Sequence, residues 1–146
     1  MNSPEPMYVV YVKTARRVFV GDRANNRVVV FRSTDYSVET SVAAGNGIFH
    51  MWADNAGRQL WINNDIDNTI SIIDPGTLQT IATACLPTDL IAMGGKPHDV
   101  ILDPKGKYAF VTVVGFSGDA DYVVRYSTSS FEETGRPQSV KTHMCL

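Results

Sequence analysis

Residues 18–31 read VFVGDRANNRVVVF, and residues 60–73 read LWINNDIDNTISII. The two stretches align without a gap at an offset of 42 residues. Each holds an apolar run of strand length, a polar turn containing Asn26 or Asn68, and a second apolar run. Two Val- and Ile-rich runs flanking an Asn-bearing turn read as a β-hairpin. A third copy, AFVTVVGFSGDADYVVRYS, fills 109–127, and its turn at 115–121 is about three residues longer.

The repeat extends upstream of each hairpin. Residues 54–62 read DNAGRQLWI and residues 103–111 read DPKGKYAFV, at an offset of 49. Asp and Gly at those spacings predict a tight turn, with Gly supplying a positive φ. The first copy, 12–20, lacks both and keeps the basic residue and the strand that follows. A third element opens each unit: FHMWA at 49–53, PHDVI at 97–101 and VKTHM at 140–144. Tyr8 stands at the corresponding place near the beginning.

Assembled, each unit predicts four short strands. They fall at 8–12, 17–22, 27–32 and 37–42, then at 50–54, 59–64, 69–74 and 78–83, then at 98–102, 107–114, 122–127 and 137–141. Four strands per 42 to 49 residues is the period of a β-propeller blade. The predicted fold is therefore all-β, with four-stranded antiparallel blades: blade 1 at 8–47, blade 2 at 48–96, blade 3 at 97–141, and the start of a fourth at 142–146. Residues 1–7, MNSPEPM, are expected to be disordered, and they carry no basic n-region or apolar h-region of a secretion signal.

Four segments resemble the YVTN-type β-propeller repeats of surface-layer-like and periplasmic proteins. They are LWINN at 60–64, NTISIID at 68–74, GGKPHDV at 94–100 and DPKGK at 103–107. The second unit matches that pattern best. The resemblance covers roughly residues 8–146 and implies a periplasmic or cell-surface setting. The Trp-Asp and Gly-His marks of WD40 repeats and the paired glycines of kelch repeats are absent from the sequence. Complete propellers hold about four to eight blades. Three blades leave two apolar faces uncovered, so the chain is expected to belong to a longer propeller or to close a ring by self-association.

Composition narrows the function classes. The chain has 146 residues, 44% hydrophobic and 19% charged, which suits a folded domain. A net charge of −2 offers no basic field for nucleic acid or anionic lipid. No apolar run reaches the roughly 18 residues of a membrane span. Cys85 and Cys145 read as two ordinary thiols, with a single disulfide between them as the alternative. No nucleophile elbow, phosphate loop or dinucleotide fingerprint occurs.

The candidate site residues are His50, His98 and His143, the only histidines in the chain. They recur 48 and 45 residues apart, at the start of successive innermost strands. Three imidazoles around one channel mouth are a candidate copper or zinc site. The competing reading is structural, because Pro-His-x-Val belongs to the repeat pattern itself and its His can bond to backbone at a blade junction. The Asp- and Asn-rich turns at 22–26, 63–68 and 119–121 suit hairpin chemistry better than a twelve-residue calcium loop. The connector 83–96, TACLPTDLIAMGGK, is about six or seven residues longer than its counterpart and lies on the expected ligand face. Leu90, Ile91 and Met93 on it offer either an apolar contact for a protein or small-molecule ligand or a cluster tucked beneath the loop.

The expected function is a non-catalytic binding or scaffold propeller with no cofactor. The first alternative is a copper or zinc redox propeller, by resemblance to nitrous oxide reductases, whose propeller hub holds histidine-ligated copper. The second is a lactonase-like hydrolase, which would need an acidic metal cluster that the sequence does not single out.

Overall fold

The computed structural model describes residues 1–116 and 121–137. Among the described residues, twelve strands form three four-stranded antiparallel sheets. The first contains β1 (Pro6–Val12), β2 (Arg17–Asp22), β3 (Arg27–Arg32) and β4 (Val38–Ala43). The second contains β5 (Ile48–Ala53), β6 (Leu60–Asn64), β7 (Thr69–Ile73) and β8 (Thr80–Cys85). The third contains β9 (Lys96–Leu102), β10 (Tyr108–Val114), β11 (Tyr122–Ser127) and β12 (Glu133–Gly135). Each sheet is a meander in chain order, and β5 packs against β1 on one side and β9 on the other. The first strands are therefore the inner strands of a radial array.

Burial follows from that array. In the middle sheet every residue of β6 is buried, as are the last four of β7. In the outer sheets burial alternates, as in Val28 and Val30 of β3 or Ala109, Val111 and Val113 of β10. A sheet covered on both faces needs continuous apolar runs, whereas one covered on a single face needs only every second residue. Two cores result. Phe19, Val28, Val30, Ile48, Leu60, Ile62 and Ile73 fill the space between the first and second sheets. Trp61, Ile70, Ile72, Val100, Val111, Val124 and Tyr126 fill the space between the second and third.

The turns repeat more faithfully than the letters that make them. Asn26 and Asn68 take left-handed φ values of 51° and 56° between the second and third strands, as the aligned hairpins imply. Asp54 Oδ1 accepts the N–H groups of Arg58 and Gln59, and Asp103 Oδ1 those of Lys107 and Tyr108. That is the physical content of the Asp-x-x-Gly-basic motif. In the first sheet Arg16, at φ 53°, takes the left-handed place that Gly57 and Gly106 hold in the others.

Two expectations are corrected. The outer strand of the third unit lies at 133–135, ahead of the expected 137–141, most of which falls outside the described residues. The turn before it matches those before β4 and β8: Tyr36, Leu78 and Phe131 all take positive φ, and each donates its N–H to the carbonyl four residues back. Only the 74–77 copy, with its Pro-Gly, carries turn composition, so composition does not mark the third copy. Residues 1–7, expected to be disordered, are held against the first sheet. Strand β1 begins at Pro6, the Glu5 N–H donates to Asp22 Oδ1 at 3.0 Å, and Asn2 bonds to Asn25 and Ala24. Asp22 is 2% exposed. Burial alone would raise its carboxyl, but donors from Glu5, Asn25 and Arg27 outweigh that and hold it below the usual carboxylate value.

Candidate functional site

Each inner strand carries an irregularity at the same repeat position. The register shifts between Pro6 and Val9 in β1, between Ile48 and Met51 in β5, and between Pro97 and Val100 in β9. Tyr8, His50 and His98 lie inside these three bulges. A bulge re-aims a side chain that would otherwise follow the pleat. Here it turns the rings sideways, along the row of inner strands. Tyr8 meets His50 with ring centroids 4.1 Å apart, and Phe49 meets His98 at 4.6 Å. His50 also stacks on Trp52 at 6.4 Å and accepts the Val100 N–H at Nδ1, 3.2 Å away.

His50 is thus a junction residue between two blades. Burial pushes its imidazole below the ordinary histidine value, against the pull of the Asp99 carboxylate. The Val100 N–H requires an unprotonated Nδ1, so the neutral ring is the form that fits. His98 is different. Its side chain is half exposed, its Nδ1 lies 3.2 Å from Asp99 Oδ1, and its backbone carbonyl accepts the Asn63 amide at 2.9 Å. His143 lies outside the described residues. The structure brings His50 and His98 into one aromatic row, but among the described residues no group of three or more His, Cys, Asp or Glu side chains converges. The aromatic partners Phe49 and Trp52 and the acidic partner Asp99 were not anticipated, because the bulge that joins them has no sequence signature.

A pH dependence follows from His50. With its folded-state pKa depressed, the unfolded chain binds more protons below about pH 6.5. Stability is therefore lost as the pH falls from there toward the folded value. Urea midpoints at pH 7.5 and 5.5 should differ in that direction. In His50→Gln, which keeps an acceptor for Val100 but does not titrate, the difference should shrink. An unchanged slope would place the effect elsewhere.

The ends of the inner strands nearest these bulges are the ones the long connectors run into. Residues 86–95 contain a short helix, α1 (Thr88–Ala92). Leu86 donates its N–H to the Asn68 carbonyl, and Gly94 and Gly95 pack against Gly115 and Phe116. The connector therefore shares one face with the hairpin turns of β6–β7 and β10–β11. Leu90 is fully buried and anchors α1, whereas Ile91 and Met93 are 37% and 48% exposed. Leu90 takes the tucked position, while Ile91 and Met93 stay at the surface. Arg136 reaches over from beyond β12 to bind both Asp89 carboxylate oxygens at 2.5 and 2.7 Å, which holds that carboxyl below its usual value. Ile66, 60% exposed at the tip of the β6–β7 turn, adds to the apolar surface of this face.

No helix among the described residues is long and apolar enough to cross a membrane. No family model matches the chain, and no curated protein matches it. Solved structures do. The hydrazine synthase of Kuenenia stuttgartiensis aligns with 97% of this chain and 51% of its own, at 12% identity and a TM-score of 0.67. The β-propeller domain of Cps50 (Swd1) from Myceliophteria thermophila aligns with 94% of this chain and 42% of its own, at 14% identity and a TM-score of 0.74. The chain thus spans about half the length of these neighbours or less. The three meander sheets, their adjacent inner strands and this likeness together make the chain a run of three β-propeller blades.

Proposed function

We propose that the chain is a binding module of the YVTN-type propeller class, whose ligand face carries α1 and the β6–β7 turn. One observation supports this most: α1 is clamped from below by buried Leu90 and from the side by Arg136, yet presents Ile91 and Met93 to solvent. An ordered loop that exposes apolar side chains has already lost the conformational freedom that binding would otherwise remove. Exposed apolar residues on a rimmed loop face favour a protein ligand. The bulge histidines serve the blade junction in this reading, and no cofactor is required.

A photo-reactive amino acid placed at position 91 tests it, with position 105, on the opposite set of turns, as the control. Irradiation in the producing cell should yield discrete adducts from position 91 and none from 105. Equal labelling of both, or of neither, would overturn the proposal. Stoichiometric copper or zinc in the purified protein would overturn it in favour of the redox alternative.

A further inference from the structure

The turns at the other end of the blades from α1 hold a second concavity. It has a volume of about 400 Å³ and lies where the β1–β2 and β3–β4 turns meet the β7–β8 turn of blade 2. Thr14, Arg16, Arg17, Arg32, Thr34 and Glu39 line it. Three guanidiniums against one carboxylate leave two net positive charges there, in a chain whose total is −2.

The three arginines are not equivalent. Arg17 is fully occupied: Nε and Nη2 bind the Glu39 carboxylate, and Nη1 donates to the Pro75 and Gly76 carbonyls of blade 2. Arg17 in turn holds the Glu39 carboxyl below its usual value, so this pair forms a fixed, neutral floor. Arg16 and Arg32 form no ion pair among the described residues, and Arg32 reaches only the Ser37 hydroxyl, at 3.3 Å. The nearby Asp35 carboxylate feels the Arg32 charge but takes its hydrogen bonds from the Ser37 N–H and hydroxyl, at 3.0 and 2.7 Å.

The blade does not require these residues. At the 42-residue offset, Arg17 and Arg32 are replaced by Gln59 and Asp74. Gln59 still clips the following blade through the Thr128 carbonyl, so the clip needs no cation. Arg16 stands at φ 53°, in the left-handed role that Gly57 and Gly106 fill in the other two blades. A side chain is disfavoured at such a φ, and outliers of this kind cluster at ligand sites.

We propose that this cleft binds a phosphate monoester, with Arg16 and Arg32 as its cationic partners and the Thr14 and Thr34 hydroxyls as further donors. A monoester carries a charge of about −1.5 to −2 at pH 7, which matches the two uncompensated guanidiniums. A carboxylate or a phosphodiester, with a single charge, leaves one of them unmatched. The planar fork of arginine suits phosphate oxygens, and the volume admits a small body attached to the phosphate. The shared chemistry is the monoester, free in solution or on a lipid headgroup. This site is separate from the α1 face and goes beyond the binding reading proposed for it.

Calorimetric titration of the full chain with glycerol phosphate tests it. Wild type should bind it saturably and one-to-one, and should bind dimethyl phosphate, a monoanion, about tenfold more weakly. Arg32→Gln should weaken glycerol phosphate binding about tenfold or more, through loss of a charged hydrogen-bond partner. Arg16→Gly should weaken it similarly without lowering the thermal midpoint, because glycine suits the left-handed backbone. An arginine with a merely structural role would not separate those two readouts. Arg58→Gln, in the β5–β6 turn of blade 2, should leave binding unchanged. Vesicles of phosphatidylcholine carrying phosphatidic acid read the lipid source: co-sedimentation that Arg16→Gly abolishes would place the monoester on a headgroup. Failure of wild type to bind either probe would overturn the proposal. Equal weakening by Arg58→Gln, or equal affinity for the two phosphates, would overturn it as well. The adducts expected from position 91 do not depend on any of these outcomes.

Discussion

Trp61→Ala is expected to destabilise the protein by about 3–5 kcal/mol, the usual cost of removing a fully buried aromatic. Trp61 is 0% exposed and lies in the core between blades 2 and 3. Its ring centroid is 6.2 Å from that of Tyr126 and 6.1 Å from that of Phe131. Its indole N–H donates to Gln59 Oε1 at 2.9 Å, and Gln59 in turn holds the Thr128 carbonyl. Truncation thus leaves a cavity and also loosens a polar clip between blades. Since domains are stable by about 5–15 kcal/mol, the loss is a large fraction of the whole. Urea midpoints followed by circular dichroism should fall at unchanged m. Trp61→Phe should lose less, because Phe19 fills the same repeat position in blade 1. Hydrogen exchange should rise first in blade 3, as each blade is held chiefly by its neighbours. A shift worth under about 1 kcal/mol would mean this interface does not hold the array together.

Gly47→Ala has the second largest expected effect, and Gly106→Ala is its control. Both glycines have positive φ, 83° and 67°. At Gly106 an added methyl would meet nothing nearer than the Asp54 side chain at 3.5 Å, an ordinary contact. Only the left-handed backbone is then penalised, by about 1–2 kcal/mol. At Gly47 the methyl would meet the Ile66 backbone nitrogen at 2.6 Å and also the Asp65 carboxylate. Backbone cannot rotate away, so a further cost of about 1–3 kcal/mol for overpacking is expected. The Gly47 carbonyl accepts the Asp65 N–H, and Arg23 bridges to Asp65 from blade 1, so the strain falls on the junction of two blades. Equal losses in the two variants would show that crowding at Gly47 is relieved by a small shift.

The propeller was legible because a blade must repeat its periodicity to repeat its shape. Offsets of 42 and 49 residues, the Asn at two of the three hairpin turns and the Asp-x-x-Gly-basic turns all encode local geometry. Local geometry is what neighbouring residues dictate. The histidines were legible as repeat positions but not as contacts. Their direction depends on a register shift in each inner strand and on the neighbouring blade that receives the ring. The start of the last strand is hidden in the sequence for a similar reason. The 127–132 turn reaches its left-handed residue at Phe131 through hydrogen bonds rather than through Gly or Pro.

The sequence by itself determined the blade, its four strands and its order along the chain, since alternation and turn chemistry act over a few residues. Only the tertiary structure decided which aromatic fills which gap, that His50 binds the Val100 backbone, and that Leu90 turns inward while Ile91 and Met93 turn out. Those outcomes depend on residues 40 to 50 positions apart meeting across a blade junction. Sequence spacing alone does not specify the angle at which two sheets pack.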